Sequence, residues 1–214
     1  MKLEDRTAVV TGASSGIGRA IAIAFAREGA NLVLADIRAE SRVTDDEETT
    51  LERIQAAGNT AVFQETDVTD EAAVEALVER AISEYGGIDV LVNSAGVTSD
   101  NPVHEVTDEE WDHVHDVNVK GVVRCSKHAM PHIRESEYGR IINISSQRGL
   151  RGGGDTEKAA YVSSKGAVTN LTRQMALDYG PEGIAVNAIC PGPVESGMTP
   201  VETEEDRQDL LDGI

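Results

Sequence analysis

The chain has 214 residues, of which 40% are hydrophobic and 3% aromatic, and its 38 acidic side chains outnumber 19 basic ones for a net charge of −19. A surface of that sign repels phosphate and sets nucleic acid aside as a partner. No stretch reaches the roughly 20 apolar residues of a bilayer-spanning helix, and the amino-terminus lacks the apolar run of a secretion signal, so a cytoplasmic protein with no membrane partner is expected.

Short β-branched runs alternate along the chain with longer segments of helical period. Residues 7–10 read as a strand and 17–27 as a helix; 31–36 as a second strand and 47–57 as a helix stopped by Gly58. Residues 60–65 make a third strand. A helix follows over 71–85, with Val74, Leu77, Val78, Ala81 and Ile82 on one face and Gly86 and Gly87 after it. Residues 89–92 read as a fourth strand, 108–133 as one long helix, 140–144 as a fifth strand, 159–178 as a helix and 185–189 as a sixth strand. Strands alternating with helices give βαβ units with right-handed crossovers. The expected fold is therefore a single α/β domain with a doubly wound, Rossmann-like parallel sheet and helices on both faces. The glycine-rich stretch 149–154 reads as a loop within it.

Thr11-Gly-Ala-Ser-Ser-Gly-Ile-Gly18 falls between the first strand and the first helix. Gly12 permits a tight turn, Gly16 lets backbone approach a ligand, and Gly18 lets the helix pack closely on the sheet. The helix start then offers free N–H groups to a pyrophosphate. Asp36 ends the second strand, where a carboxylate accepts hydrogen bonds from an adenosine ribose and repels a 2′-phosphate. Ser15 is neutral where a phosphate-reading site wants a cation, whereas Arg38 leaves room for NADP(H). NAD(H) is the preferred cofactor on this reading, and NADP(H) a possible one.

Tyr161 and Lys165 are four residues apart in a helical segment and so share a face. A cation beside a phenol favours the phenolate, which lets Tyr161 exchange a proton with a carbonyl or alcohol oxygen near neutral pH.

With Gly12, Gly16, Gly18, Asp36, Tyr161 and Lys165 in this order, the chain resembles the short-chain dehydrogenase/reductase family over nearly its whole length. Asp67-Val68 looks like the family's adenine-contacting pair. Asn93-Ser-Ala-Gly96 is similar to its Asn-Asn-Ala-Gly motif, with Ser94 as the departure. Asn118 matches the helix asparagine, Ser146 the serine ending the fifth strand, and Pro191-Gly-Pro-Val-Glu-Ser196 the Pro-Gly segment. The resemblance implies a catalytic set of Asn118, Ser146, Tyr161 and Lys165. It implies dinucleotide contacts from Gly12, Ser14, Ser15, Gly16, Ile17 and Gly18 in the turn, and from Asp36, Asp67, Val68, Asn93, Ala95 and Gly96. Tyr161, Lys165, Pro191, Gly192, Val194 and Ser196 complete the cofactor set. In the implied mechanism Tyr161 is the general acid/base, Lys165 tunes it and binds the nicotinamide ribose, and Ser146 holds the substrate oxygen. Asn118 holds a relay water through its main chain. Ser145 is the local rival of Ser146.

Members resembling 3-oxoacyl-carrier-protein reductases and glucose or polyol dehydrogenases share these motifs, so the expected substrate is a secondary alcohol or ketone. Family members continue beyond the point where this chain stops, adding a helix and a seventh strand. The resemblance thus implies six strands, an unpaired sheet edge, and a partial, mobile substrate lid over 197–214. A nucleotide-binding regulatory or scaffolding protein without turnover is the alternative. Family pairing through the helices at 108–133 and 159–178 implies a homodimer, with a tetramer possible in a longer form.

Other candidates carry less. His128 and His132 have the i,i+4 spacing of a metal pair but no recognisable third ligand, so no metal is expected and a surface or interface role is read for them. Cys125 and Cys190 read as free buried thiols in a reducing compartment. Asn143-Ile-Ser145 and Asn170-Leu-Thr172 have the glycosylation pattern but fall inside core elements, and Trp111 is expected to pack near the start of its helix.

Only five of the basic residues are lysines, and the acids cluster at 44–49, 107–110 and 202–206, read as solvated helix starts. This resembles proteins of salt-adapted cytoplasms, in which salt screens a self-repelling surface. The melting temperature is expected to climb as KCl is raised into the molar range; thermal unfolding followed by circular dichroism checks this, and an unchanged midpoint refutes it.

Overall fold

A computed structural model describes residues 1–42, 48–152 and 158–194. Its strands are β1 Thr7–Thr11, β2 Asn31–Asp36, β3 Ala61–Glu65, β4 Val90–Asn93, β5 Arg140–Ile144 and β6 Ala185–Ile189. They form one parallel sheet in the order β3-β2-β1-β4-β5-β6. The chain winds outward from β1 to β3, then returns to the centre and winds the other way from β4 to β6. The strand order therefore reverses between β1 and β4, the point where open α/β sheets leave a crevice at their carboxyl ends.

Helices α1 Gly16–Arg27, α2 Thr50–Ala56, α3 Glu71–Tyr85, α4 Asp108–His115, α5 Gly121–Ile133 and α6 Ala159–Tyr179 accompany the strands. Alternate residues of each strand feed two cores, because successive side chains point to opposite faces. Val33, Val9, Leu91, Ile141 and Val186 lie in register across five strands and pack with Val74, Leu77, Ile133 and Met175 from α3, α5 and α6. On the other face Val10, Leu32, Leu34 and Val92 pack with Ala22, Ala26 and Ile54 from α1 and α2. Each such side chain, taken fully out of water, contributes roughly 1.5–3 kcal/mol. Both faces being covered is what makes the strands read as nearly continuous apolar runs.

Two elements differ from the sequence reading. The helix expected from residue 47 starts at Thr50, because Thr49 caps it: Thr49 Oγ1 accepts the Glu52 N–H at 3.1 Å, and the Glu52 carboxylate accepts the Thr49 N–H at 2.8 Å. Residue 47 of that expected helix and residues 44–47 of the acidic run 44–49 lie outside the described ones. The long helix of 108–133 is interrupted by a π-helical turn at Asp116–Lys120, which divides it into α4 and α5. A π-turn holds one more residue per turn than its flanks and so redirects a side chain. Here the redirected residue is Asn118, which is buried. The acidic run 107–110 does open a helix, with Thr107 as N-cap of α4.

Among the described residues β6 is an edge of the sheet, and Ile189 on it is 45% exposed. Ser196 and the expected lid of 197–214 lie outside the described residues, as does the acidic run at 202–206.

A buried polar chain ties the sheet to the two helices that flank the site. Asn93 Nδ2 on β4 donates to Asn143 Oδ1 on β5 at 2.8 Å and to Ser126 Oγ on α5 at 3.2 Å. Asn143 Nδ2 donates to Thr172 Oγ1 on α6 at 2.9 Å. Asn143 is fully buried, so the glycosylation pattern at this position is sealed inside the fold. Replacing it by alanine removes two buried hydrogen bonds and strands one partner, at a cost of about 2–3 kcal/mol. The Asn143→Ala protein should unfold at a clearly lower urea concentration than the parent.

Candidate active site

The glycine turn sits at the strand-order reversal. Gly12 and Gly16 have φ of +65° and +56°, in the left-handed region that glycine alone enters at no steric cost. A Cβ at Gly12 would lie 2.8 Å from the Ala95 nitrogen, and one at Gly18 would collide with the Gly12 carbonyl oxygen. The turn is therefore pressed against the loop after β4, and α1 against the turn. Thr11 Oγ1 secures this contact by accepting the N–H groups of Ser94 at 3.0 Å and Ala95 at 3.1 Å. Ser15 heads α1 in extended conformation without a side-chain cap. The first N–H groups of the helix face the turn, as an anion such as a pyrophosphate requires. The donor set and the space left by the missing Cβ atoms fit a dinucleotide.

The neighbouring parts of the crevice are tied to this turn. The Asp36 carboxylate accepts the Ser14 N–H at 3.1 Å and the Ile37 N–H at 2.9 Å, while Ser14 Oγ donates to the Arg38 carbonyl at 2.6 Å. Thr50 Oγ1 donates to the Ala13 carbonyl at 2.8 Å, and the buried Arg19 donates to Thr50 Oγ1 at 3.2 Å and the Glu48 carbonyl at 2.9 Å. Thr11, Arg19 and Thr50 were not singled out from the sequence, since their partners are distant in the chain. Asp67 accepts from the Thr69 N–H and hydroxyl at 2.8 Å, and Val68 is buried.

On the other side of β4 three of the expected catalytic residues, Asn118, Tyr161 and Lys165, come together, and Ser146 follows the end of β5 to which Lys165 is bonded. Lys165 is buried on α6, and its Nζ donates to the Ile144 carbonyl at 2.8 Å. The same Nζ stands 5.8 Å from the centroid of the half-buried Tyr161 ring, within cation–π range. A Cβ at Gly96 would stand 3.3 Å from Asn118 Oδ1 and 3.6 Å from Lys165 Nζ, so the glycine keeps the space beside both clear. The Asn118 amide is fully used: Oδ1 accepts the Val97 N–H at 2.8 Å, and Nδ2 donates to the Val97 carbonyl and to Ser164 Oγ, both at 2.9 Å. Ser164 Oγ passes the chain on to the Tyr161 carbonyl at 2.7 Å. Asn118 thus clamps the loop after β4 to the helix carrying Tyr161 and Lys165.

The two serines after β5 separate by their partners. Ser145 Oγ lies 2.9 Å from the Lys165 carbonyl and 2.7 Å from Thr169 Oγ1, which commits it to holding α6. Ser146 Oγ accepts the Arg148 N–H at 3.1 Å, and among the described residues its hydroxyl hydrogen has no acceptor. Pro191 accepts the Gln147 N–H at 2.9 Å, joining the Pro-Gly segment to this turn; Gly192 follows it, and Val194 is 41% exposed.

Several residues sit differently from expectation. His128 does have carboxylate neighbours: its Nε2 lies 3.0 Å from Glu71 Oε1 and its Nδ1 3.9 Å from Glu75 Oε1, both on α3. These three side chains bring ligand-type atoms within 4.8 Å of one another, but Lys127 also binds Glu71. Its hydrogen bond, with that of His128, draws the Glu71 carboxyl down to about 2. The cluster is an ion-paired seam between α3 and α5, and it was invisible in the sequence because α3 lies some 50 residues away. Cys125 is buried, which pushes its thiol up to about 12, whereas Cys190 is only half-buried. Asn170 is exposed on α6 rather than enclosed. Trp111 stacks on His115 at 4.3 Å between ring centroids and stays 36% exposed.

The short chain dehydrogenase profile matches residues 6–207. The chain belongs to this family. A 3-oxoacyl-[acyl-carrier-protein] reductase of Staphylococcus aureus is 37% identical over 209 residues, covering 98% of this chain and 82% of its own. A meso-2,3-butanediol dehydrogenase of Serratia marcescens is 40% identical over 201 residues, covering 93% and 75%. The crystal structure of a dehydrogenase/reductase from Sinorhizobium meliloti 1021 superimposes with a TM-score of 0.88 at 34% identity, covering 99% of this chain and 82% of that one. In this short-chain dehydrogenase, as in that structure, one parallel sheet carries helices on both faces.

Burial of Lys165 pulls its ammonium down to about 8, partly offset by the nearby Cys190. The unfolded chain, with an ordinary lysine near 10.4, holds the proton more tightly than the folded one between these values. Stability therefore rises with pH from about 8 toward 10, and below that range the buried charge costs up to about 3 kcal/mol. The Lys165→Met protein should gain stability over the parent at pH 7 and lose that advantage by pH 10, as read from urea unfolding at the two pH values.

Proposed function

We propose that this protein transfers a hydride between NAD(H) and a secondary alcohol or ketone, with Tyr161 as general acid/base. The observation that carries the reading is the gathering of Tyr161, the buried Lys165, Ser146 and Asn118 at the carboxyl edge of the sheet, beside a glycine turn shaped for a pyrophosphate. The cofactor, when bound, supplies or accepts the hydride. Tyr161 Oη gives a proton to the carbonyl oxygen in reduction and takes it from the hydroxyl in oxidation. Lys165 sets a positive charge beside the phenolate this leaves, and its Nζ lies close enough to Gly96 to reach a nicotinamide ribose held there. The unengaged Ser146 hydroxyl donates to the substrate oxygen and steadies the charge that grows on it. Asn118 keeps the loop after β4 and α6 at fixed separation, and its main chain is where a relay water between Lys165 and solvent would bind.

The remaining parts of the reading follow from position. Asp36 is fixed by two backbone N–H groups beside the turn, which favours the ribose of NAD(H) over the 2′-phosphate of NADP(H). Asp67, Val68, Asn93, Ala95, Pro191, Gly192 and Val194 complete the cofactor cleft. Sugars, polyols and 3-oxoacyl thioesters are the candidate substrates. Exposed Val123 and Leu177, on α5 and α6, suit a homodimer formed through these helices in the cytoplasm.

Absorbance of NADH and NADPH followed against a panel of sugars, polyols and 3-oxoacyl esters in high salt tests the proposal. Turnover with NADH is expected, and Tyr161→Phe should lower kcat at least about 100-fold while cofactor binding is unchanged. Tight NADH binding without turnover of any substrate would instead support a nucleotide-binding protein that does no chemistry.

A further inference from the structure

We propose that Arg148 and Arg151 form an anion-reading wall of the substrate site, so that the preferred alcohol or ketone carries a carboxylate. The inference rests on the dehydrogenase reading, which places the reacting oxygen at Ser146 and Tyr161.

Both arginines grow from the short turn that follows Ser146. The Arg148 N–H is donated to Ser146 Oγ at 3.1 Å, the Arg151 N–H to the Gln147 carbonyl at 3.2 Å, and the Gln147 N–H to the Pro191 carbonyl at 2.9 Å. Between them Gly149 lies so close to α6 that an added Cβ would stand 2.6 Å from the Lys165 carbonyl oxygen and 2.8 Å from Ser145 Oγ. The turn cannot move without moving the backbone of Lys165 or the serine pair. The arginine attachment points are thus fixed relative to the proposed chemistry, and the long side chains can reach a substrate held at Ser146.

Arg148 is half-buried and Arg151 exposed, and among the described residues neither guanidinium has a hydrogen bond or ion pair. Other partly enclosed cations do have partners: Arg124 binds Asp116 at 2.9 Å, and Lys158 binds Asp100 at 2.6 Å. No side-chain nitrogen of Arg148 or Arg151 is sealed away from solvent without a partner, so both forks are open to a ligand, and such a fork matches a carboxylate in two parallel hydrogen bonds.

Position separates this role from cofactor phosphate binding. Asp36 and Arg38 follow β2, whereas Arg148 and Arg151 follow β5. In the order β2-β1-β4-β5 these ends are three strand spacings apart, about 14 Å at about 4.8 Å each. The arginines therefore stand at the reacting end of the crevice and not at the adenosine end. The net charge of −19 works against an anion at long range. Its field is screened over about 8 Å at physiological ionic strength, so two cations carried on the turn that follows Ser146 outweigh it locally.

The test compares hydroxy acids with their methyl esters, using 3-hydroxybutanoate and 4-hydroxypentanoate with NAD+ and NADP+. The acids should show a KM at least about tenfold below that of the esters. Arg148→Gln with Arg151→Gln should bring the two within about twofold while leaving the esters' kinetics and the KM for the nucleotide unchanged, and the double lysine variant should restore part of the preference. An acid preference that survives the double glutamine variant, or esters used as well as acids by the parent, overturns the inference and leaves the dehydrogenase reading standing. No turnover of any acid, ester, sugar, polyol or 3-oxoacyl thioester, with the nucleotide bound, overturns both.

Discussion

The parallel pairing of β1 with β4 fixes where everything else in this protein can be. Three register pairs, Ala8 with Val90, Val9 with Leu91 and Val10 with Val92, bring together strands about 80 residues apart in the chain. The chain thereafter winds in opposite directions on the two sides, so the loops leaving β1 and β4 diverge and open a crevice. Gly12 and Ala95 meet at its floor with no room for a methyl group, and Thr11 holds the two loops with one oxygen. The groups proposed to hold adenosine fall on the β2 side of this seam, and those proposed for chemistry fall on the β5 side.

The chemical end depends on a second constraint, a charged amine held in the interior. Among the described residues Lys165 has one hydrogen-bond acceptor, the Ile144 carbonyl, and burial destabilises its ammonium enough to bring it to about 8. Around it the structure is braced by amides and hydroxyls that carry no charge: Asn118 to Val97 and Ser164, Ser145 to Thr169, Asn143 to Asn93 and Thr172. Neutral groups can hold backbone in place without adding a second buried charge. Arg148 and Arg151, which have no side-chain partner among the described residues, stand outside this brace.

Much of this was legible in the residue order. Apolar period assigned all six strands, because strands buried on both faces leave few polar interruptions. Gly12, Gly16 and Gly18 were readable because only glycine tolerates those turns, and Tyr161 with Lys165 because i,i+4 spacing puts two side chains on one face. The π-turn at Asp116–Lys120 was not readable: its sequence continues the helical pattern, and it is packing of Asn118 against Val97 and Ser164 that accounts for the extra residue. The choice between Ser145 and Ser146 likewise needed their partners.

The sequence by itself determined the fold class, the glycine turn after the first strand and the shared helix face of Tyr161 and Lys165, since these follow from local period, backbone permission and side-chain chemistry. Tertiary structure decided which hydroxyl is free, that His128 meets Glu71 and Glu75 on a neighbouring helix, and that Lys165 is buried beside Gly96. It also decided that the Arg148 N–H meets Ser146 Oγ while its guanidinium finds no partner among the described residues. Each of those depends on a through-space neighbour tens of residues away, and no local pattern encodes whether such a neighbour will satisfy a charge or leave it open.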